Sequence, residues 1–177
     1  MVSHPKTKAS SLIVSAVALI VSVMTIDPYQ VGVYDGAPLS AHLAYHWFHV
    51  SVFHALCNVW CFVSLVFAYN MSATQILASL AIASALPQCI LTGTPTIGLS
   101  GLCFALMGWL TPLVVRKLYF FCWVTGFIAA TYLLSLLPFF GGVSVMIHLY
   151  CYLAALTVSA SVKMCDNMRH KNEQRDR

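Results

Sequence analysis

The sequence predicts an all-α membrane protein, a compact bundle of six transmembrane helices. Of the 177 residues, 60% are hydrophobic and 8% are charged, which leaves too little polar surface to cover a water-soluble globule. A spanning helix needs roughly 20 mostly apolar residues. Six stretches meet that need, at about 10–26, 47–69, 72–91, 99–115, 118–138 and 143–163. We therefore expect one membrane-embedded domain over residues 1–177, with short tails at about 1–9 and 164–177.

The basic residues all fall on one side of such a bundle. They lie near the N-terminus, between the fourth and fifth spans, and at the C-terminal end: Lys6, Lys8, Arg116, Lys117, Lys163, Arg169, Lys171, Arg175 and Arg177. The opposite loops carry only Asp27 and Asp35. The positive-inside rule then places both termini in the cytoplasm. The net charge of +4 reflects this orientation rather than binding to nucleic acid.

The first span, 10–26, has the length of a signal peptide. No cleavage site with small residues follows it, so we expect a retained helix. The segment 27–45 is predicted to be an irregular outer loop at the membrane interface, because prolines and glycines recur in it. These are Pro28, Gly32, Gly36 and Pro38.

The second span carries His54 and Asn58, which are four residues apart and therefore share one helix face. Polar side chains inside a membrane are costly without partners, which favours a functional site. The same pair is also typical of a hydrogen-bonded clamp between helices. The spacing alone leaves both interpretations open.

The third span contains Pro87 near its outer end, which predicts a kink there. A turn-like segment, 92–97, then leads into Gly98-Leu99-Ser100-Gly101 at the start of the fourth span. A serine between glycines at the mouth of an apolar helix can present its hydroxyl and nearby N–H groups to a substrate. A helix start used only for close packing is the alternative.

The fifth span is rich in aromatic residues, which is typical of lipid-facing and interfacial packing, and 138–142 is predicted to form an outer loop. The sixth span carries His148 about five residues from its outer end. Ser100, His54, Asn58 and His148 should therefore meet in the outer half of the membrane.

The distribution of acidic residues narrows the chemistry. No Asp or Glu occurs between Asp35 and Asp166, which excludes an aspartyl dyad, an HExxH zinc site and the third member of a Ser-His-Asp triad inside the bundle. It also disfavours an ion-coupled transporter, which usually needs intramembrane acids. A Ser-His dyad with an uncharged orienting group is what remains.

These motifs together resemble the rhomboid family of intramembrane serine proteases. The matching residues run across about 120 positions: His49, the HxxxN pair His54 and Asn58, the GxSG motif Gly98-Leu99-Ser100-Gly101, the continuation Ala105-Leu106-Met107-Gly108, and His148. Departures are a short first outer loop without a Trp-Arg pair, and Cys151 and Ala155 where the family has glycines.

The resemblance implies Ser100 as nucleophile and His148 as general base. It implies that His54, Asn58 and the Ser100 N–H hold the oxyanion, and that Phe104 stacks on His148. Gly98, Gly101 and His49 are expected to support the site. The substrates would be transmembrane proteins that enter from the lipid bilayer near the second and fifth spans. The location would be a bacterial inner membrane, with no cofactor or metal.

Two alternatives use the same bundle without proteolysis. One is a catalytically silent chaperone or adaptor, and the other is a haem protein with ligands among His49, His54 and His148. The seven cysteines include no CxxC motif and are expected to serve in packing.

Two stripes of small residues predict a close seam between the fourth and sixth spans. Such stripes allow helix backbones to approach closely in lipid. They are Gly101, Ala105 and Gly108 on one helix, and Cys151, Ala155 and Ser159 on the other.

Overall fold

A computed structural model describes residues 4–135 and 144–175, and over these residues the chain is helical. The α-helices are α1 (Pro5–Val21), α2 (Pro28–Val31), α3 (Ala41–Ala44), α4 (Val52–Ala68), α5 (Ala73–Ser84), α6 (Ser100–Leu110), α7 (Lys117–Ser135) and α8 (Val145–Arg175), with a 3-10 turn at Gln88–Ile90. No β-strand occurs in the described part of the chain, which has one isolated bridge between Val33 and Thr96. The prediction of an all-α protein is confirmed.

One described helix, Val145–Gln174, is long and apolar enough to cross a membrane by itself. This supports membrane association. Shorter apolar helices of 10 to 17 residues include α4, α5 and α6. At 1.5 Å per residue, the 11 residues of α6 reach only about 16 Å of a hydrocarbon core that is about 30 Å thick. The six-span arrangement is therefore a proposal and is taken up below.

The helix boundaries correct two details of the predicted spans. The helix of the second predicted span, α4, begins at Val52 rather than near residue 47, because Ser51 caps it by accepting a hydrogen bond from the His54 N–H. His49 consequently lies in the loop before α4. The helix of the third predicted span, α5, ends at Ser84. Pro87 therefore lies after the end of the helix and does not kink it. The predicted loop at 138–142 lies outside the described residues.

The outer segment 27–45 is more ordered than predicted. It contains the one-turn helices α2 and α3, and the Asp27 side chain caps α2 by accepting from the Tyr29 N–H. The paired backbones of Val33 and Thr96 tie this segment to the loop before α6. Both loops therefore lie at the same end of the bundle.

The basic ends of the helices meet at the other end. The His4 N–H donates to Asn70 Oδ1 over 3.2 Å, and Lys8 Nζ lies 5.4 Å from the centre of the Phe67 ring. Lys163 donates to the Pro112 carbonyl. These contacts bring together the start of α1 with the end of α4, and the end of α6 with the later part of α8.

Helix α6 forms the centre of the bundle, with nine of its residues buried. It packs chiefly against α8, and the predicted small-residue seam between them is confirmed. A Cβ added to Gly108 would collide with the Tyr152 carbonyl oxygen and lie 3.0 Å from Leu156 N, so the two backbones touch. Ala105, Cys151, Ala155 and Ser159 are all buried.

Candidate active site

Ser100 is the first residue of α6, and the chain reaches it through Gly98. Gly98 has φ +139°, a conformation that side chains strongly disfavour. A Cβ there would also lie 2.9 Å from His54 Cε1 and 3.3 Å from Asn58 Nδ2. Glycine at this position therefore allows the loop to turn and to approach the polar pair on α4.

Ser100 Oγ and His148 Nε2 are 2.9 Å apart. His148 is buried at 3% exposure, whereas Ser100 is partly exposed. When the hydroxyl donates to Nε2, the ring proton lies on Nδ1. Nδ1 has no partner among residues 4–135 and 144–175. The distance is within the reach that a nucleophile and its general base require.

The Phe104 ring lies against the His148 imidazole. The ring centres are 4.4 Å apart and the planes are inclined by 24°. Phe104 sits one turn after Ser100 on α6 and is itself buried. It therefore restricts rotation of the imidazole through contact rather than charge, in a region of the sequence that has no carboxylate.

His54 and Asn58 bond to each other and face the same loop. The Asn58 amide donates to His54 Nε2 over 3.1 Å, so the proton of the His54 ring is on Nδ1. The second N–H of the Asn58 amide is a further donor near Gly98. The structure thus brings this pair beside the loop that carries Ser100.

His49 contributes from the loop rather than from a helix. Its Nε2 accepts a hydrogen bond from the Leu99 N–H over 3.2 Å, and its ring packs edge-on against His54, with centres 5.4 Å apart. His49 therefore holds the backbone one residue before Ser100 and supports the imidazole of His54.

Backbone N–H groups at the start of α6 accompany Ser100. The first four N–H groups of a helix lack intrahelical partners, and the Cys103 N–H makes the first such bond, to Leu99 O. The Ser100 and Gly101 N–H groups precede it. Together with Asn58, they can donate to an anionic oxygen that develops next to Ser100.

A cleft of about 1430 Å³ leads to these residues. It lies between α4 and α7, and Ser100, His148 and Phe104 form part of its wall. Its lining is predominantly apolar, and Arg116 is the one charged side chain among the described lining residues. A hydrophobic segment can therefore reach the serine from the side of the bundle.

Two cysteines lie one helical turn after site residues: Cys103 follows Ser100 on α6, and Cys61 follows Asn58 on α4. Cys103 is buried and its Sγ donates weakly to the Asn58 carbonyl at 3.5 Å, whereas Cys61 is partly exposed. Within the described ranges, no three His, Cys, Asp or Glu side chains form a metal-binding group. In His49, His54 and His148, the Nε2 atoms bond to protein groups.

Sequence reasoning missed the polar contacts of the outer segment. His42 Nδ1 lies 3.0 Å from the Ser84 carbonyl, and His46 Nε2 lies 3.0 Å from Ser84 Oγ. The Tyr45 hydroxyl donates to the Ala83 carbonyl over 2.7 Å. The signal was present, since polar rings recur every three to four residues from His42 to His49 in an otherwise apolar stretch.

A comparison of the sequence with protein-family models and with curated proteins finds no match. The class of protein therefore rests on the residues and their geometry, and the roles of the site residues stay predictions.

Proposed function

We propose that this chain is an intramembrane serine protease, similar to the rhomboid family, that hydrolyses peptide bonds in or near transmembrane segments of other proteins. The 2.9 Å hydrogen bond between Ser100 Oγ and His148 Nε2 carries the proposal. A serine that donates to an unprotonated imidazole nitrogen is arranged for nucleophilic attack. The apolar cleft beside it suits a substrate helix.

In this mechanism Ser100 Oγ attacks the scissile carbonyl while His148 Nε2 takes its proton. The imidazolium then gives that proton to the leaving amine, which departs as the C–N bond breaks. Water attacks the acyl-enzyme by the reverse proton transfers and releases the new carboxyl terminus. Phe104 keeps the His148 ring directed at Ser100 throughout.

The oxyanion of each tetrahedral intermediate is stabilised by donors on two elements. The Ser100 N–H comes from α6 and the Asn58 amide from α4, with His54 ordering the amide through their 3.1 Å bond. Removing one such donor costs on the order of a hundred- to a thousandfold in turnover in other hydrolases.

The membrane setting is part of the proposal. Six spans, each completed by loops that lie in or near the membrane, would leave both termini in the cytoplasm and the dyad open to the outer side, as in a bacterial inner membrane. Irregular backbone is tolerated at membrane depth where it lines a water-filled cavity, and the segment before Ser100 would do so.

Site-specific labelling tests this topology. Single reporters for thiol accessibility or glycosylation at Asp35, Lys117 and His170 should place position 35 outside and positions 117 and 170 inside. Reporters that place 35 and 117 on one side would refute six spans.

A fluorophosphonate probe tests the chemistry directly, because it reacts covalently with an activated serine. Wild-type protein should label at Ser100 and cleave a model transmembrane substrate. Ser100→Ala and His148→Ala should each lower cleavage by on the order of a thousandfold or more, and the double variant should lose little further. Ser79→Ala, at a serine buried in α5, is the matched control and should keep both activities.

The outcome separates the candidate functions. Cleavage at the wild-type rate by Ser100→Ala would contradict the protease assignment. A folded wild-type protein that binds transmembrane segments but neither labels nor cleaves would be a silent chaperone or adaptor instead.

The oxyanion assignment has its own test. Asn58→Ala should lower turnover by on the order of 10- to 1,000-fold with the fold retained. If turnover falls only in proportion to the unfolded fraction, Asn58 is a structural clamp between helices.

A further inference from the structure

Tyr45 contacts the loop on both sides of Ser100, although no part of the proposed mechanism uses it. Its carbonyl accepts the Gly98 N–H over 2.8 Å. Its phenol ring lies beneath Gly101, where an added Cβ would be 2.7 Å from Oη and 3.7 Å from Cζ. Two residues of the Gly98-to-Gly101 turn are thus held by one residue of the outer segment.

The Tyr45 side chain is anchored at its far end. It is 1% exposed, and its hydroxyl donates to the Ala83 carbonyl in the last turn of α5 over 2.7 Å. Burial raises the pKa of this phenol well above its ordinary value of 10.0, so it remains a donor. The ring therefore has one position between α5 and α6.

We infer that Tyr45 is a positioning residue that sets the oxyanion backbone of Ser100. The inference rests on the proposed function. Gly98 is fixed by the Tyr45 carbonyl and Gly101 by the Tyr45 ring, and the donor N–H of Ser100 lies between these two points. If the anchor at Ala83 is lost, the ring and the turn above it can shift together. A misplacement of about 1 Å can cost roughly a hundredfold in rate.

The first experiment compares two tyrosines that bond to the same helix end. Tyr45→Phe removes only the hydroxyl that binds Ala83 O. Tyr150→Phe removes a matching 2.8 Å bond to Ala85 O that does not touch the 98–101 turn. Tyr45→Phe should lower kcat and the rate of fluorophosphonate labelling by roughly 10- to 100-fold, with KM unchanged, whereas Tyr150→Phe should leave all three near wild type.

A merely structural role predicts a different result. Both variants would then have a lower melting temperature, and the folded fraction of each would be labelled at the wild-type rate. Equal labelling rates per folded molecule in Tyr45→Phe and wild type would overturn the inference.

The second experiment uses the contact between Tyr45 and Gly101 and does not depend on the behaviour of Tyr45→Phe alone. Gly101→Ala places a methyl group 2.7 Å from Tyr45 Oη, which forces a shift, and should slow labelling by roughly tenfold or more. Adding Tyr45→Phe removes that oxygen and leaves the ring carbon at an ordinary 3.7 Å. The double variant should therefore label several-fold faster than the product of the two single losses predicts.

Losses that simply multiply in the double variant would show that the Tyr45 ring does not set the turn, because residues in contact are expected to be non-additive. The two proposals also fail differently. Wild-type protein that is never labelled contradicts the protease function. Wild-type protein that is labelled, together with losses of labelling rate that simply multiply in the double variant, contradicts only the role of Tyr45.

Discussion

The two sides of the candidate dyad are packed in opposite ways. On the α6–α8 side, Gly108 lets backbone touch backbone, and the facing Ala105 and Ala155 have no exposed surface. On the α4–α7 side, the helices leave the cleft open, and α7 also carries Gly126, which does not line the cleft and whose added Cβ would meet nothing within 4 Å. The same residue type marks a backbone contact on α6 and open space on α7.

This difference corresponds to two requirements of the proposed reaction. The Ser100–His148 distance must be held closely, because rate depends steeply on the geometry of reacting groups. Small residues achieve this in lipid, where van der Waals contact replaces the hydrophobic force between helices. Entry of a substrate requires loosely packed helices that can separate. On this side α7 contacts α6 through aromatic rings, such as Phe127 against Phe104, whose centres are 5.8 Å apart.

Alanine at Gly108 and alanine at Gly126 give the largest expected contrast. Gly108→Ala should destabilise the protein by about 1–3 kcal/mol, as overpacking does, and lower cleavage by roughly a hundredfold, because the methyl group meets backbone that cannot move aside. Gly126→Ala should leave cleavage unchanged and stabilise slightly through helix propensity. Thermal unfolding and cleavage rates in detergent measure both. Equal effects of the two substitutions would contradict the contrast.

The tightly packed side could be predicted largely from the sequence. Small residues at helical spacing identified the α6–α8 seam, and the order of the motifs placed Ser100 and His148 on facing helices. These are local patterns with a fixed period. The stack of Phe104 on His148 came from the family resemblance rather than from any spacing.

The outer segment and the helix ends could not be predicted in this way. Hydropathy marks apolar stretches but not where hydrogen bonding stops, so it missed the cap at Ser51 and the end of α5 at Ser84. The bonds of His42, Tyr45 and His46 to α5 join residues about 40 positions apart. No periodicity within a single stretch contains such a pairing.

The pH dependence of the free energy of unfolding should show whether the outer segment is packed as tightly as the α6–α8 side. Burial, helped by the nearby His42, lowers the pKa of His46 from 6.5 to about 3. The unfolded chain therefore takes up a proton first as the pH falls below 6.5. His46 alone should therefore lower the free energy of unfolding between pH 6.5 and about 3, by at most about 1.4 kcal/mol per pH unit.

The control variant is His46→Gln, whose amide can still bond to Ser84 Oγ but does not titrate. Thermal unfolding at pH 7.5 and pH 5 should show a smaller drop for His46→Gln than for wild type. The other titratable side chains at this contact are His42 and Tyr45. An unchanged drop would assign the pH dependence to groups other than His46.

Replacing the ring that touches the dyad should separate orientation from packing. Phe104→Leu keeps an apolar side chain but loses the stack on His148, so we expect kcat to fall by roughly tenfold, equivalent to about 1.4 kcal/mol. Phe62→Leu, at an equally buried phenylalanine on α4, should cost similar stability and leave kcat near wild type. If both variants lose kcat equally, the stack has no special role.

The smallest expected effect lies on the open side, at Trp60. This side chain is 78% exposed and lines the cleft, so its loss should not disturb the core. Trp60→Ala should raise KM for a transmembrane substrate by roughly three- to tenfold and leave kcat and melting temperature unchanged, the pattern expected when a contact serves substrate and transition state equally.

Leu77→Ala is the control, because Leu77 is 63% exposed on α5 and is not among the cleft residues. If KM stays the same in both variants, Trp60 faces lipid alone and the substrate uses another route. A fall in kcat or melting temperature would instead show that the α4 wall is coupled to the dyad, and the contrast between a rigid and an open side would fail there.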